Sequence, residues 1–270
     1  RRFAKVPEAI RNNQRVSNRC FFELLDGELH LPKAVGLKER SSFKELSRLA
    51  HRGLAVRYNR LEHSLIKKLE YELSVIEQRD FSDYFLVVKR IVDFAKKNNI
   101  PVDVRGSAAG SLVSYVLGFT RVCPVENKLY FERFMNPGRK DCPDIDIDLC
   151  WRRRDEVIRF CYNNWGCEHV AMICTINRYR RKSALRDTAR AFGLRPNEIN
   201  RLIKNPSREY TDIYRLAERI ISYPRHISVH CGGIVITPEP IRKLAPLQWT
   251  NKGIVVSQYD KDAAEAMGLV

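Results

Sequence analysis

The hexapeptide Pro143-Asp144-Ile145-Asp146-Ile147-Asp148 constrains the fold more than any other stretch of the chain. Its alternation has a period of two, and successive side chains of an extended strand point to opposite faces. Asp144, Asp146 and Asp148 therefore share one face, and Ile145 and Ile147 face the other way, where they can anchor the strand to a sheet. Carboxylates at i and i+2 repel and raise each other's pKa unless a cation lies between them. Aspartate oxygens suit hard divalent ions, and two such ions about 3.5–4 Å apart clamp the oxygens of a phosphoryl-transfer reaction. The hexapeptide alone leaves two readings open, a metal-binding carboxylate strand or an exposed alternating edge strand.

These acids stand out because the chain around them is basic. Lys and Arg number 48 against 32 Asp and Glu, a formal charge of +16. That excess favours a polyanionic partner, nucleic acid before an anionic membrane surface. The 270 residues provide for one large domain or two smaller ones. Eight cysteines form no CxxC pair and no zinc-finger spacing, and several lie in apolar periodic segments, so reduced thiols in a cytoplasmic protein are expected. No apolar run approaches the length of a membrane span, and the N-terminus has no signal-peptide pattern. The absence of an initiator Met suggests a piece of a longer chain.

Helical spacing predicts elements at 7–20, from Ser42 to Leu54, through Leu61, Leu65, Leu69, Leu73 and Ile76, and from a Ser82 cap to Asn98-Asn99. A short strand at Ile100–Val104 then runs into Arg105-Gly106-Ser107-Ala108-Ala109-Gly110-Ser111 and a helix through Leu117. A strand entering a Gly-Ser turn at a helix start can hold a phosphate, because backbone N–H groups are free there and the helix dipole favours an anion. Small residues also mark close helix packing, and no Gly-Lys-Ser/Thr follows to make a Walker loop. Arg133 lies between aromatic residues, eleven positions before Asp144, and a basic turn follows at Gly138-Arg139-Lys140. It reads either as a surface arginine or as a phosphate clamp.

Residues 152–165 read as an amphipathic helix and Val170–Ile176 as a buried strand. Composition then changes. Nine Lys/Arg against two acids fall between Ile176 and Lys204, with short helices expected at 183–192, 197–205 and 211–221. Such a module suits contacts to nucleic-acid phosphates, although a charge run is also a solvated face. β character returns at 230–237 and 253–258, so the helices read as an insertion between strands of one sheet, and a short helix is expected from Asp262 to Met267.

Several segments, in this order and spacing, resemble the catalytic core of the bacterial C-family DNA polymerases, the replicative DNA polymerase III alpha subunits and their error-prone relatives. They are Leu73-Ser74-Val75-Ile76 with Phe81-Ser82-Asp83-Tyr84-Phe85, then Arg105-Gly106-Ser107-Ala108-Ala109-Gly110-Ser111-Leu112, Phe131-Glu132-Arg133-Phe134-Met135-Asn136-Pro137, the aspartate hexapeptide, Ser183-Ala184-Leu185-Arg186-Asp187 and His230-Cys231-Gly232-Gly233. The resemblance covers nearly the whole chain. It implies an α+β fold, a polymerase-beta-like nucleotidyltransferase palm of mixed sheet and flanking helices with an inserted helical thumb. The expected divisions are a connector at 1–25 from an N-terminal domain outside this sequence, a first palm segment at 26–175, a thumb at 176–228 and a second palm segment at 229–270.

The resemblance also implies roles. Asp144 and Asp146 bind catalytic Mg²⁺, and Asp148 supports them in the metal-binding strand. Gly106 and Ser107, with Arg105, hold the triphosphate of a deoxynucleoside triphosphate, and Arg133 lies near it. Arg178, Arg180, Arg181, Lys182 and Arg186 would grip primer–template DNA. Sliding-clamp and other replisome contacts would come from regions outside this sequence. Two departures stand out. Val104 replaces the glycine that often precedes the motif arginine, and the family's third catalytic aspartate falls just beyond Val270, so the segment is expected to be a poor polymerase alone. Two readings of other classes remain, a Mg²⁺-dependent nuclease or phosphoesterase and a non-enzymatic DNA-binding module.

Overall fold

In the computed structural model of the chain, the structure describes residues 6–21, 27–34, 42–136, 138, 142–250 and 253–270. The basic turn expected at 138–140 lies outside them apart from Gly138. Helix α1, Pro7–Ser17, starts with proline in its first turn and buries none of its residues. Four helices then build the main core: α2 (Ser42–Arg57), α3 (His63–Gln78), α4 (Ser82–Lys97) and the short α5 (Leu112–Val116). Their apolar stripes interlock around Leu46, Leu69, Ile76, Phe85, Val92 and Val113. Ser42 and Ser82 sit inside their helices, not at the cap positions expected of them. Ser42 Oγ instead donates to Asp83 Oδ1 at 2.9 Å, and the Ala34 N–H donates to the same oxygen at 2.9 Å, so Asp83 ties an extended segment to two helix starts.

Between α4 and α5 runs strand β1 (Val102–Arg105), which pairs antiparallel with β2 (Asp146–Leu149) as a two-stranded ribbon. Helix α6 (Arg154–Trp165) packs on α4 through a face-to-face stack of Phe94 and Phe160, ring centroids 4.1 Å apart. Strand β3 (Val170–Arg178) follows, then α7 (Arg181–Ala191), α8 (Pro196–Lys204) and α9 (Thr211–Ile220), then β4 (Pro224–Ile236), β5 (Leu247–Trp249), β6 (Val255–Ser257) and α10 (Lys261–Ala266). The second sheet has the order β4-β3-β6-β5, with β3 antiparallel to β4 and parallel to β6. Val170 to Cys174 of β3 are all buried, because this inner strand has side chains on both faces, Ala171 and Ile173 in one cluster and Met172 and Cys174 in another.

The fold is thus mixed α and β with a mixed four-stranded sheet, as expected, and the helices α7–α9 do lie between two paired strands of it. Three features differ from the sequence reading. The aspartate strand belongs to its own ribbon, apart from the four-stranded sheet. Strand β4 begins at Pro224, six residues earlier than its β character suggested, because Ile227, Ser228 and Val229 pair with β3 residues Ile176, Thr175 and Cys174 beyond a bulge. Strand β5 was not foreseen. The helical module has a small core of its own in Ala189, Ile199, Leu202 and Ile213, and a bidentate Arg225–Asp187 ion pair (2.8 and 3.4 Å) fastens α7 to β4. All eight cysteines are free thiols. Among the described residues no helix is long and apolar enough to cross a membrane.

Candidate active site

The ribbon's register sets the site. Val102 opposes Leu149, Asp103 opposes Asp148, Val104 opposes Ile147 and Arg105 opposes Asp146. Directly opposed residues of an antiparallel pair share a face. Val102 and Val104 are buried against the helical core, and Ile147 and Leu149 pack on it, so the four polar residues are turned to solvent. The predicted alternation holds along the aspartate segment: Asp144, Asp146 and Asp148 are exposed, with Ile145 buried and Ile147 half-buried between them. Hydrogen-bonded pairing begins only at Asp146, because across from it Arg105 is the last strand residue. Gly106 leaves the ribbon with φ +74, a left-handed conformation that glycine adopts at little cost.

The turn that follows differs from the expected helix start. Gly106–Gly110 forms a tight 3₁₀ turn, and α5 begins only at Leu112. Ser111 Oγ caps α5 by accepting from the Ser114 N–H (3.1 Å), while the Val113 N–H donates to the carboxylate of Glu72 (3.0 Å). The helix N-terminus is therefore already occupied by a protein carboxylate. A phosphate held by this motif would meet the turn itself, not the end of α5.

The turn lies close to the acids. A Cβ placed on Gly106 would come 3.6 Å from Asp146 Oδ2, and Ser107 and Asp144 line one cleft of about 200 Å³. Phe81, Phe134 and Met135 give that cleft apolar walls, and Arg79, Asn136 and Cys142 add polar groups. Burial, then the neighbouring charge of Asp146, hold the Asp144 carboxyl above its ordinary value, and Lys261 of α10 partly offsets them. Burial and the charge of Asp144 push the Cys142 thiol up to about 12, so it stays protonated beside the acids. Behind the strand, the phenol of the half-buried Tyr84 lies against the Ile145 backbone, its pKa raised chiefly by desolvation.

Asp144 and Asp146 stand together beside Gly106 and Ser107. Arg105 Nε meets Asp148 Oδ2 at 2.8 Å, so one predicted phosphate ligand and one predicted metal ligand are paired with each other. Arg133 ends a 3₁₀ turn, exposed, and forms no ion pair among the described residues; the three residues after it line the cleft. Arg178, Arg180, Arg181, Lys182 and Arg186 are all exposed where β3 ends and α7 begins; Arg178, the last residue of β3, donates to the Ser222 carbonyl, and Arg181 meets Glu218 at 3.3 Å. Sequence reasoning missed Asp103, Arg79 and Glu72. Asp103 had a signal, an acid at an alternate position of a short apolar strand. Glu72 had one too, an acid within the Leu65-Leu69-Leu73-Ile76 stripe of α3.

Among the described residues, no three His, Cys, Asp or Glu side chains converge as a ready-made metal cage. Asp144 and Asp146 nevertheless fit a hard divalent cation. Both offer only oxygen donors, both are exposed, and the charge of one raises the pKa of the other, a repulsion that a cation would relieve.

A protein-family profile described as the bacterial DNA polymerase III alpha NTPase domain matches residues 44–211 and 203–270. The error-prone DNA polymerase of Symbiobacterium thermophilum is 37% identical over 295 residues, covering all of this chain and 27% of that protein. The DNA polymerase III subunit alpha of Bacillus subtilis is 37% identical over 293 residues, 99% of this chain and 26% of that protein. The error-prone DNA polymerase of Nocardia farcinica is 40% identical over 287 residues, all of this chain and 25% of that protein. The chain thus spans about a quarter of the length of the relatives it matches.

Proposed function

The chain belongs to the bacterial DNA polymerase III alpha family, and we propose that it supplies the metal- and triphosphate-binding part of a template-directed DNA polymerase. The observation that carries this reading is the closeness of two unlike features, the Asp144–Asp146 pair and the Gly106–Ser107 turn, on one edge of the ribbon. An acidic pair suits cations and a glycine–serine turn suits phosphate oxygens, and a nucleotide triphosphate carried on Mg²⁺ needs both within a few ångströms.

Asp144 and Asp146 would hold Mg²⁺, with a further acid from chain beyond Val270. Bound there, the metal would lower the pKa of a primer 3′-hydroxyl and neutralise charge on the reacting phosphates. The chain's own groups do the positioning. Gly106, lacking a side chain, lets phosphate oxygens approach the backbone, and Ser107 donates its hydroxyl to them. Arg105, engaged with Asp148, draws that acid's charge away from the pair and so leaves Asp144 and Asp146 as the cation ligands. Arg133, exposed near the cleft, is available to the far end of the triphosphate. On this reading residues 26–175 and 229–270 are palm and 176–228 thumb, and the thumb's exposed Arg178, Arg180, Arg181, Lys182 and Arg186 lie along duplex phosphates. The working protein would be cytoplasmic, with sliding-clamp and replisome contacts made by regions outside this sequence.

Primer extension by the full-length polymerase carrying this segment tests the reading. Asp144→Asn and Asp146→Asn should each abolish nucleotide incorporation while leaving primer–template binding intact. Retained extension in either variant removes that residue from the metal site. Shortening of labelled DNA by the wild type with Mg²⁺ but no nucleotides would favour a nuclease.

A further inference from the structure

Among the described residues, Glu72 is the one acid of the main core with none of its surface exposed. It lies on α3, facing the end of the Gly106–Gly110 turn. Its Oε2 receives the Ser111 hydroxyl at 2.9 Å and the Val113 N–H at 3.0 Å, with the Leu112 N–H also directed at the carboxylate. Burying a carboxyl costs several kcal/mol unless hydrogen bonds compensate it, and an apolar residue here would continue the stripe of Leu69, Leu73 and Ile76. The hydrogen-bond compensation comes from one place, the three-residue corner where the turn becomes α5, with the Lys68 charge adding to it. From the other side, a Cβ on Gly110 would stand 2.9 Å from the Tyr130 carbonyl, so the turn is held between that segment and the Glu72 bonds.

We propose that Glu72 is the positioning residue of the phosphate turn: its carboxyl clamps the Ser111–Val113 corner and thereby fixes where Gly106 and Ser107 present their donors. The inference rests on the polymerase reading of that turn. Glu72, with no exposed surface, acts through the corner. The Ser111 hydroxyl and the Val113 N–H both fall on Oε2, and Oε1 is buried with no hydrogen-bond partner. A glutamine can therefore keep the clamp, with its amide oxygen in the place of Oε2. An alanine cannot.

Steady-state extension on a fixed primer–template, in the full-length polymerase, tests this with two variants. Glu72→Ala should raise the KM for the incoming deoxynucleotide about tenfold, the value of one lost charge-assisted contact, with a smaller change in kcat. Glu72→Gln should restore KM to within about twofold of wild type. Leu69→Ala, on the same helix but off the corner, controls for plain destabilisation and should leave KM unchanged. If Glu72→Ala does not fold, Glu72→Gln decides alone, since a KM raised as in a lost clamp overturns the proposal. An unaltered KM in Glu72→Ala, or an equal rise in Leu69→Ala, also overturns it. Failure of the wild type to extend primers would instead overturn the polymerase reading, so the two are told apart.

Discussion

Gly53 sets two general effects against each other. It lies inside α2, outside the left-handed region, where replacing glycine by alanine ordinarily stabilises a helix by about 1 kcal/mol. A Cβ on Gly53, however, would stand 2.1 Å from the Val116 carbonyl oxygen and 2.8 Å from its carbon. Both are backbone atoms of α5 and cannot rotate away. Restoring ordinary contact means moving the two helices apart by roughly 1 Å, in a core whose neighbours Leu46, Ala50, Leu54 and Val113 are at most 2% exposed. Overpacking of this kind costs about 1–3 kcal/mol and here lies at the upper end, because backbone meets backbone. Gly53→Ala should therefore destabilise the chain by about 2 kcal/mol net, read as a lower urea midpoint at unchanged slope by far-ultraviolet circular dichroism. A midpoint equal to or above wild type would refute the steric argument, since propensity alone gives that sign.

Two further outcomes follow from the same reasoning. Burial raises the Glu72 pKa from 4.5 to about 7, so the stability this group contributes is complete below pH 4.5 and is lost as pH rises through 7. The loss approaches about 3 kcal/mol as an upper bound, and the stability difference between Glu72→Gln and wild type should grow between pH 5 and 8 in parallel denaturant titrations; a constant difference would show that Glu72 does not titrate in that window. On the helical module, Arg186→Ala should weaken duplex binding about equally for all sequences and reduce the slope of log K against log salt by about one. An unchanged slope would take Arg186 off the phosphate path.

The residues that alternate or recur along the chain were legible in its sequence. The aspartate strand, the helices of the inserted module and the inner strand β3 all follow from side-chain periodicity, which the backbone must obey wherever one face is buried. What periodicity cannot give is partnership. Nothing in Val102-Asp103-Val104-Arg105 announces that it pairs with Asp146–Leu149, yet that register puts Arg105 beside Asp148 and leaves Asp144 and Asp146 by the turn. The Gly-Ser motif lies between a strand and a helix through Leu117, a placement that locally looks like a helix start. The carboxylate that occupies the real helix start comes from Glu72, some forty residues earlier, and such a bond has no local trace. Gly53 is similar: the reason for a glycine there lies in α5, and only packing reveals it.

The pair formed by β3 and β4 has a geometric consequence. Together the two strands carry a three-helix load out from the sheet, and their ladder is interrupted by shifts between Met172 and Cys174 and between Asn177 and Arg178. A β-bulge bends its strand and sharpens the local twist, so the pair changes direction at these two places. The outer irregularity lies at Arg178, beside the Ser222 carbonyl it holds, and the inner one lies at the buried Met172–Cys174 segment. The direction in which the basic helices leave the sheet is thus set by two short irregular stretches of the β3–β4 pair, and not by the helices themselves.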